Sequence, residues 1–155
     1  MTHIKTPIGR CETIEVSILN NNAREFKFSD NESTLQNIIA EGIMIHTPDL
    51  AVSKNNRAML PLNDLKTCLL TLSTNKQKLI IKELPVETFL KNDHAITWLK
   101  PFKIDIAKSL ITIPGSAALV IPAGSPAGYA IMVTLFYRLF DAVKDRLDED
   151  GCVIE

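Results

Sequence analysis

Residues 129–140 read YAIMVTLFYRLF. Between Ile131 and Tyr137 both alternating sets of positions are largely apolar, and none of them is charged. A strand with one face in water alternates apolar with polar side chains, whereas a strand covered on both faces forms a continuous apolar run. The segment therefore predicts a central β-strand that is buried on both faces.

Two further elements upstream have the pattern of β-structure. In residues 12–19 every second side chain is apolar, namely Ile14, Val16 and Ile18, which indicates a half-buried strand. Residues 67–82 consist of two Leu-rich and β-branched runs joined by a short polar link, Ser-Thr-Asn-Lys-Gln. Such a pair of runs predicts a β-hairpin.

The middle of the chain combines a strand with a long connection. Residues 35–46 predict a strand, within which Gly42 indicates a β-bulge or a close approach of another backbone. A helix over residues 34–40 is the competing interpretation. Residues 47–64 show little periodicity and predict a connection with at most one short strand. Connections of this length are often functional or interface-forming.

The remaining strands complete an all-β fold. Residues 26–28, 102–113 and 117–121 each predict a strand from their apolar or alternating pattern. With those above, about seven or eight short antiparallel strands are expected, which is typical of a β-sandwich or jelly roll. We assign residues 1–140 to this single domain.

The C-terminal segment 141–155 differs in composition, since it holds six acidic and two basic residues. The spacing of Phe140, Val143 and Leu147 fits a short amphipathic helix that Gly151 would end. Two interpretations remain open. The segment is a solvated tail or a helix lying on its own domain, or it is an arm that docks on a basic neighbour.

Composition excludes several classes of protein. The chain has 155 residues, 46% of them hydrophobic, and a net charge of -1, which argues against disorder and against nucleic-acid binding. The three cysteines, Cys11, Cys68 and Cys152, form no CxxC pair, so neither a disulfide framework nor a zinc site is expected. Cys68 is expected to be buried because it stands in an apolar run.

A membrane span and a secretory leader are also not expected. Residues 109–137 hold no charge, but three prolines and three glycines divide them into pieces of strand length. The N-terminus lacks the basic and apolar regions of a signal peptide, which predicts synthesis in, and folding from, the cytoplasm.

Motifs that carry chemistry are missing from the sequence. No phosphate-binding glycine loop is present, and Ser125 follows Gly124 too closely for a nucleophile elbow. His3, His46 and His94 stand far apart, and His46 fits a strand end better than a metal site. We therefore predict no catalytic residue, cofactor, metal site or small-molecule substrate.

Seven short segments together resemble a family of small β-sandwich virion proteins, found in phages that infect Bacteroidetes-type bacteria. They lie within residues 25–140 and read Phe26-Lys-Phe-Ser-Asp30, Leu35-Gln-Asn37, Ile43-Met-Ile-His-Thr47, Leu70-Thr-Leu72, Leu84-Pro85, Lys108-Ser-Leu-Ile111 and Val133-Thr-Leu-Phe-Tyr137. The N-terminal strand and the acidic tail have no counterpart in the resemblance.

The resemblance implies a non-enzymatic structural component of a phage virion, such as a capsid, decoration, spike-base or tail-ring protein. Its partners would be further copies of itself and other virion proteins, and its location would be the virion after synthesis in the host cytoplasm. Symmetric copies meet through loops and terminal arms. The interface residues expected on this basis are Pro122, Gly124, Pro126, Tyr129, Phe140, Val143 and Leu147.

Two other functions remain open. One is a monomeric β-sandwich module that binds a carbohydrate or a protein in an apolar groove around Trp98 and Tyr129. The other is an enzyme whose site is assembled from scattered residues. The fold alone does not decide between them, because β-sandwiches host many functions.

Overall fold

Eleven β-strands and one short α-helix form the regular structure of the residues that the computed structural model describes, which are 9–28, 35–90, 96–124 and 126–154. The elements are β1 (Arg10–Ile18), β2 (Glu25–Lys27), β3 (Ile38–Ile45), β4 (Ala58–Met59), α1 (Leu62–Leu65), β5 (Leu69–Ser73), β6 (Leu79–Pro85), β7 (Thr97–Lys103), β8 (Leu110–Thr112), β9 (Tyr129–Leu139), β10 (Arg146–Leu147) and β11 (Val153–Ile154).

Strand β9 lies inside a five-stranded sheet with the order β1-β9-β3-β7. Its partner on one side is β1, in unbroken antiparallel register from Arg10↔Tyr137 to Ile18↔Tyr129. On the other side β3 pairs with the later part of β9, and the parallel strand β4 continues that pairing at Ala58↔Tyr129.

Both faces of β9 are covered, as predicted. Val133 and Leu135 belong to the hydrophobic core, while Met132 and Thr134, of the opposite parity, are also buried but outside that core cluster. We call the face that carries Met132 and Thr134 the outer face of the sheet, because the second sheet covers the other one.

The second sheet is antiparallel and has the order β2-β8-β5-β6. Its β5 and β6 form the predicted hairpin, from Leu69↔Pro85 to Ser73↔Leu79. Side chains of both sheets, Leu70 and Phe102 among them, are fully buried in one core. The two sheets, of five and four strands, pair antiparallel except at β4, and they show a mostly β fold that is consistent with a β-sandwich. The predicted seven or eight antiparallel strands are too few, because the short strands β4, β10 and β11 are not among those expected.

The strand predicted over residues 102–113 is wrong in one respect, because it is divided in two. The carboxylate of Asp105 accepts a hydrogen bond from the backbone N–H of Ala107, and a 3₁₀ turn follows at Ile106–Lys108. This side-chain cap lets β7 end and β8 begin in the other sheet. The strand predicted over 117–121 is also wrong, since a 3₁₀ turn occupies Ser116–Ala118.

The strand predicted over residues 35–46 is confirmed as β3, and the competing helix over 34–40 is not formed at residues 38–40. The short C-terminal helix is wrong, because the segment forms a hairpin of β10 and β11. The carboxylate of Asp148 accepts from the backbone N–H groups of Asp150 and Cys152, which favours a turn over a helix.

The C-terminal hairpin lies on its own domain. The backbone N–H of Lys103 donates to the carbonyl of Gly151, and the hydroxyl of Thr74 donates to the carbonyl of Asp150. Cys152 is buried beside Phe102 in an isolated bridge. The chain's one acidic segment is therefore attached to the domain at β7. Within the described ranges no helix has the length and apolarity needed to cross a bilayer.

We predict that Gly128→Ala destabilises the fold by about 2 kcal/mol or more, because Gly128 has a φ of +93°. A Cβ atom there would also lie 2.6 Å from the carbonyl oxygen of Ile18. Gly115→Ala is the matched control, since no atom lies within 4 Å of its Cβ position and its φ is -98°. Urea unfolding of the wild type and both variants measures the difference in the free energy of unfolding. Equal unfolding midpoints for Gly128→Ala and Gly115→Ala would contradict the prediction.

Candidate functional site

The outer face of the five-stranded sheet carries three groups of side chains that the core does not use. An aromatic groove lies beside Trp98 at one end, a hydroxyl and imidazole cluster surrounds Thr134 in the middle, and a buried ion pair holds Glu15 further along. Each group joins residues from at least two strands or loops that are distant in sequence.

The groove, which we call the Trp98 groove, has a volume of about 350 Å³. Its walls are mainly apolar and include Trp98, Phe136 and Pro101. Two charged residues, Arg10 and Glu41, also line it. Ligand pockets commonly combine apolar walls with a few polar groups and have volumes of about 300–1,000 Å³.

Bulges in two neighbouring strands form this groove. In the pairing of β3 with β9, Gly42 lies opposite Phe136 and Ala40 lies opposite Tyr137. The step between these two pairs is therefore two residues long in β3 and one residue long in β9. On the other edge of β3, Gly42 lies opposite Trp98 and Ala40 lies opposite Phe102, so the same step is four residues long in β7. The residues in excess, which include Glu41 and Pro101, leave the regular pleat and line the groove.

Gly42 brings the indole ring of Trp98 close to the sheet. A Cβ atom on Gly42 would lie 3.0 Å from Cε3 of Trp98, a contact so tight that the ring would have to shift by a few tenths of an ångström. The ring is tilted by 55° against that of Phe136, with 6.0 Å between the centroids. Trp98 is nevertheless 67% exposed. The bulge predicted at Gly42 is confirmed, and the close approach is made by a side chain.

The middle cluster joins three strands by side-chain hydrogen bonds. The hydroxyls of Thr13 and Thr134 lie 2.8 Å apart, and Nε2 of His46 lies 2.6 Å from the Thr134 hydroxyl. His46 directly follows β3, at the strand end where the sequence predicts it. His3 and His94 lie outside the described residues. Among the residues that are described, no three His, Cys, Asp or Glu side chains form a group that could hold a metal ion.

The third group surrounds the carboxylate of Glu15, which is buried although its position alternates with the core residues of β1. Arg57 donates to its Oε2 at 2.6 Å, and the side-chain amide of Asn55 donates to the same oxygen at 2.8 Å. Its Oε1 accepts from the hydroxyl of Ser53 and from the backbone N–H of Lys54. The connection 47–64 thus closes over the outer face at this point.

The sequence does not predict this group, because alternation in β1 predicts an exposed Glu15. The available signal was the polar sequence Ser53-Lys-Asn-Asn-Arg57 in a connection of unusual length. Burial raises the pKa of Glu15, but the hydrogen bonds from Ser53, Asn55, Arg57 and Lys54 together outweigh it, so its pKa lies below the ordinary value.

The predicted interface residues lie at opposite ends of β9. Pro122, Gly124, Pro126 and Tyr129 precede or begin the strand, whereas Phe140, Val143 and Leu147 follow it. A strand of eleven residues is about 34 Å long. The structure therefore does not bring the seven residues together.

The binding groove expected around Trp98 and Tyr129 contains only the first of these residues. Trp98 is in register with Gly42 and, across it, with Phe136, whereas Tyr129 begins β9. Phe136 and Tyr129 are seven positions apart along the strand, which corresponds to a distance of about 24 Å.

The chain was compared with protein-family models, with curated proteins and with solved structures, and none of them matches it.

We predict that Glu15→Gln lowers the free energy of unfolding at pH 7 by about 2 kcal/mol, because it leaves the half-buried guanidinium of Arg57 without its carboxylate partner. The folded pKa of Glu15 lies below its ordinary value of 4.5. The ionised group therefore stabilises the fold fully above pH 4.5, and this contribution is lost as the pH falls from there through the folded pKa.

Urea unfolding across this pH range measures both effects. The variant is expected to show a weaker fall in stability below pH 4.5 than the wild type. Glu25→Gln, which changes an exposed glutamate of β2, is the matched control and should change stability by less than about 0.5 kcal/mol. Parallel pH profiles for the wild type and Glu15→Gln would show that Glu15 does not have this role.

We further predict that Ellman's reagent labels one thiol of the folded chain at neutral pH, that of the exposed Cys11. Burial, with a smaller effect from Asp64, raises the pKa of Cys68 to about 12, and burial also raises the pKa of Cys152. Cys11→Ser should therefore remove the fast reaction, and unfolding in urea should expose the remaining thiols. Rapid labelling of Cys152 in the folded chain would show that the C-terminal hairpin is detached.

Proposed function

We propose that the chain is a non-enzymatic structural component of a phage virion that acts through contacts with copies of itself and with other virion proteins. One observation carries the proposal: large apolar side chains are exposed at both ends of the domain. Exposed apolar groups that adjoin one another mark interaction surfaces in soluble proteins.

The first of these surfaces, which we call the loop end, consists of Leu19, residues 119–124 and residues 126–128. Leu19 is 53% exposed and Val120 is 83% exposed. Residues 119–128 hold no charged side chain, so contact with a partner would desolvate no ion of the loop itself.

The loop end is held in shape before any partner binds. The side-chain amide of Asn21 donates to the carbonyl of Leu119, and the guanidinium of Arg57 donates to the carbonyl of Ala127. The backbone N–H of Gly128 donates to the carbonyl of Pro122. A preorganised loop loses less conformational entropy on binding, which favours association.

The second surface, which we call the tail end, lies at the other end of β9 and consists of Leu139, Phe140, Val143 and Leu147. Leu139 is 50% exposed and Val143 is 91% exposed. Because the two surfaces differ and lie at opposite ends, copies that pair the loop end with the tail end form a heterologous contact. Repetition of such a contact gives a ring or an open stack.

The resemblance of the sequence to small virion proteins supports the same role. In this proposal the protein functions in the virion after synthesis in the host cytoplasm. The residues expected at the interfaces are those of the sequence prediction, now divided between the loop end, with Pro122, Gly124, Pro126 and Tyr129, and the tail end, with Phe140, Val143 and Leu147.

The experiment is absolute mass by light scattering. We predict that the wild-type chain forms a discrete multiple of 17.2 kDa. Val120→Asp at the loop end and Val143→Asp at the tail end should each give a monomer, since each change places a charge in one of the two contact surfaces. An equimolar mixture of both variants should give a dimer, because one intact loop end and one intact tail end remain.

Leu79→Asp is the control, because Leu79 is 41% exposed but lies on β6 in the other sheet. It should leave the mass of the assembly unchanged. A wild-type monomer at all concentrations would overturn self-assembly. A mixture that stays monomeric would overturn the pairing of the loop end with the tail end.

A further inference from the structure

We propose that the Trp98 groove is a binding site for a neutral sugar ring that stacks on the indole of Trp98. This inference concerns a different surface from the assembly contacts, since the groove lies on the outer face of the sheet. It rests on the exposure of the ring, on the way in which the sheet supports it, and on the charges beside it.

The indole ring is a supported platform. Its inner side rests against Gly42, where a Cβ would lie 3.0 Å from Cε3 and 3.2 Å from Cζ3 of Trp98, and Phe136 packs at an angle beside it. Contact with Gly42 and Phe136 restricts the ring on its inner side, while the residue remains 67% exposed to solvent. An exposed and restricted aromatic ring binds a flat apolar surface at little entropic cost.

The charges beside the platform indicate which ligand fits. Glu41 supplies an acceptor and Arg10 a donor, and both line the groove. The carboxylate of Glu41 lies 3.9 Å from Nε of Arg138, which is a long ion pair, and its side chain is 30% exposed. A cation would face Arg10 and an anion would face Glu41, so neither charge is favoured. A neutral ligand with hydroxyl groups meets both, because a hydroxyl donates and accepts.

A sugar ring in the pyranose form has the required shape. The C–H groups of one face form an apolar surface that covers the indole, and the hydroxyls at its rim reach toward Glu41 and Arg10. The volume of about 350 Å³ lies at the small end of the range of ligand sites, which fits one or two rings.

The test uses the full chain and four probes: maltose, cellobiose, lactose and N,N′-diacetylchitobiose. Trp98 is the only tryptophan, so its fluorescence reports the groove directly. We expect a saturable change in emission with at least one probe, with a dissociation constant in the millimolar range, and the same constant from isothermal titration calorimetry. Tetramethylammonium and acetate should produce no saturable change.

Variants separate stacking from a general effect on the fold. Trp98→Leu should weaken binding in calorimetry by about tenfold or more, the scale of a lost stacking contact. Gly42→Ala keeps the tryptophan but displaces its ring, and should also weaken binding. Glu41→Gln keeps an acceptor and should weaken binding less than Glu41→Ala. Val120→Asp is the control, because it changes the loop end and should bind as the wild type does.

The outcomes are distinct from those of the assembly experiment, since binding is measured on the wild type and on Val120→Asp, which differ in assembly. Failure of all four sugars to bind the folded wild type would overturn the proposal. Saturable binding of tetramethylammonium in place of the sugars would also overturn it, and would indicate a cation site. Sugar binding that survives both Trp98→Leu and Gly42→Ala would place the sugar elsewhere.

Discussion

The pairing of β9 on both of its edges is the constraint on which the rest of the structure depends. An interior strand must satisfy its backbone groups on two sides, and β9 does so with β1 along one edge and with β3 followed by β4 along the other. Its side chains then supply the core with Val133 and Leu135 and the outer face with Thr134 and Phe136. The proposed assembly surfaces lie where this strand begins and ends.

A buried charge supports this arrangement from the outer face. Glu15 faces away from the core, yet the connection between β3 and β5 covers it, so its carboxylate needs partners other than water. Arg57 and Asn55 provide them, and Arg57 reaches on to the carbonyl of Ala127 in the loop end. One ion pair thus joins the covering connection, an edge strand and a candidate interface. Removing one partner of such a pair costs more than the intact pair contributes, because the remaining charge is left without compensation.

The sequence predicted those features that depend on local patterns. Four of them can be recognised in short stretches of sequence, and the structure confirms all four. They are the apolar run of β9 that is buried on both faces, the alternation of β1, the hairpin of β5 and β6, and the bulge at Gly42. Predictions failed where a single side chain redirects the chain. Asp105 caps a turn inside an apparent strand, and Asp148 closes a hairpin where the periodicity of residues 140–147 suggested a helix.

The groups of the outer face could not be predicted for another reason. Glu15 and Arg57 are 42 residues apart, and the groove joins residues from β1, β3, β7 and β9. Only the order of the strands brings them together, and no local window contains that order. Trp98 itself was singled out as a groove residue, but its partner is Phe136, and Tyr129 is at the far end of the same strand.

The same strand order has a consequence for the synthesis of the chain on the ribosome. Thr13 of β1 and Thr134 of β9 are hydrogen-bonded across 121 positions of sequence. At about 5–20 residues per second, synthesis needs about 6–24 s to cover that interval. For all of this time β1 has left the ribosome without the strand that pairs with it. Its apolar residues Ile14, Val16 and Ile18 lack their partner strand until β9 emerges, and apolar surface exposed in this way is prone to aggregation.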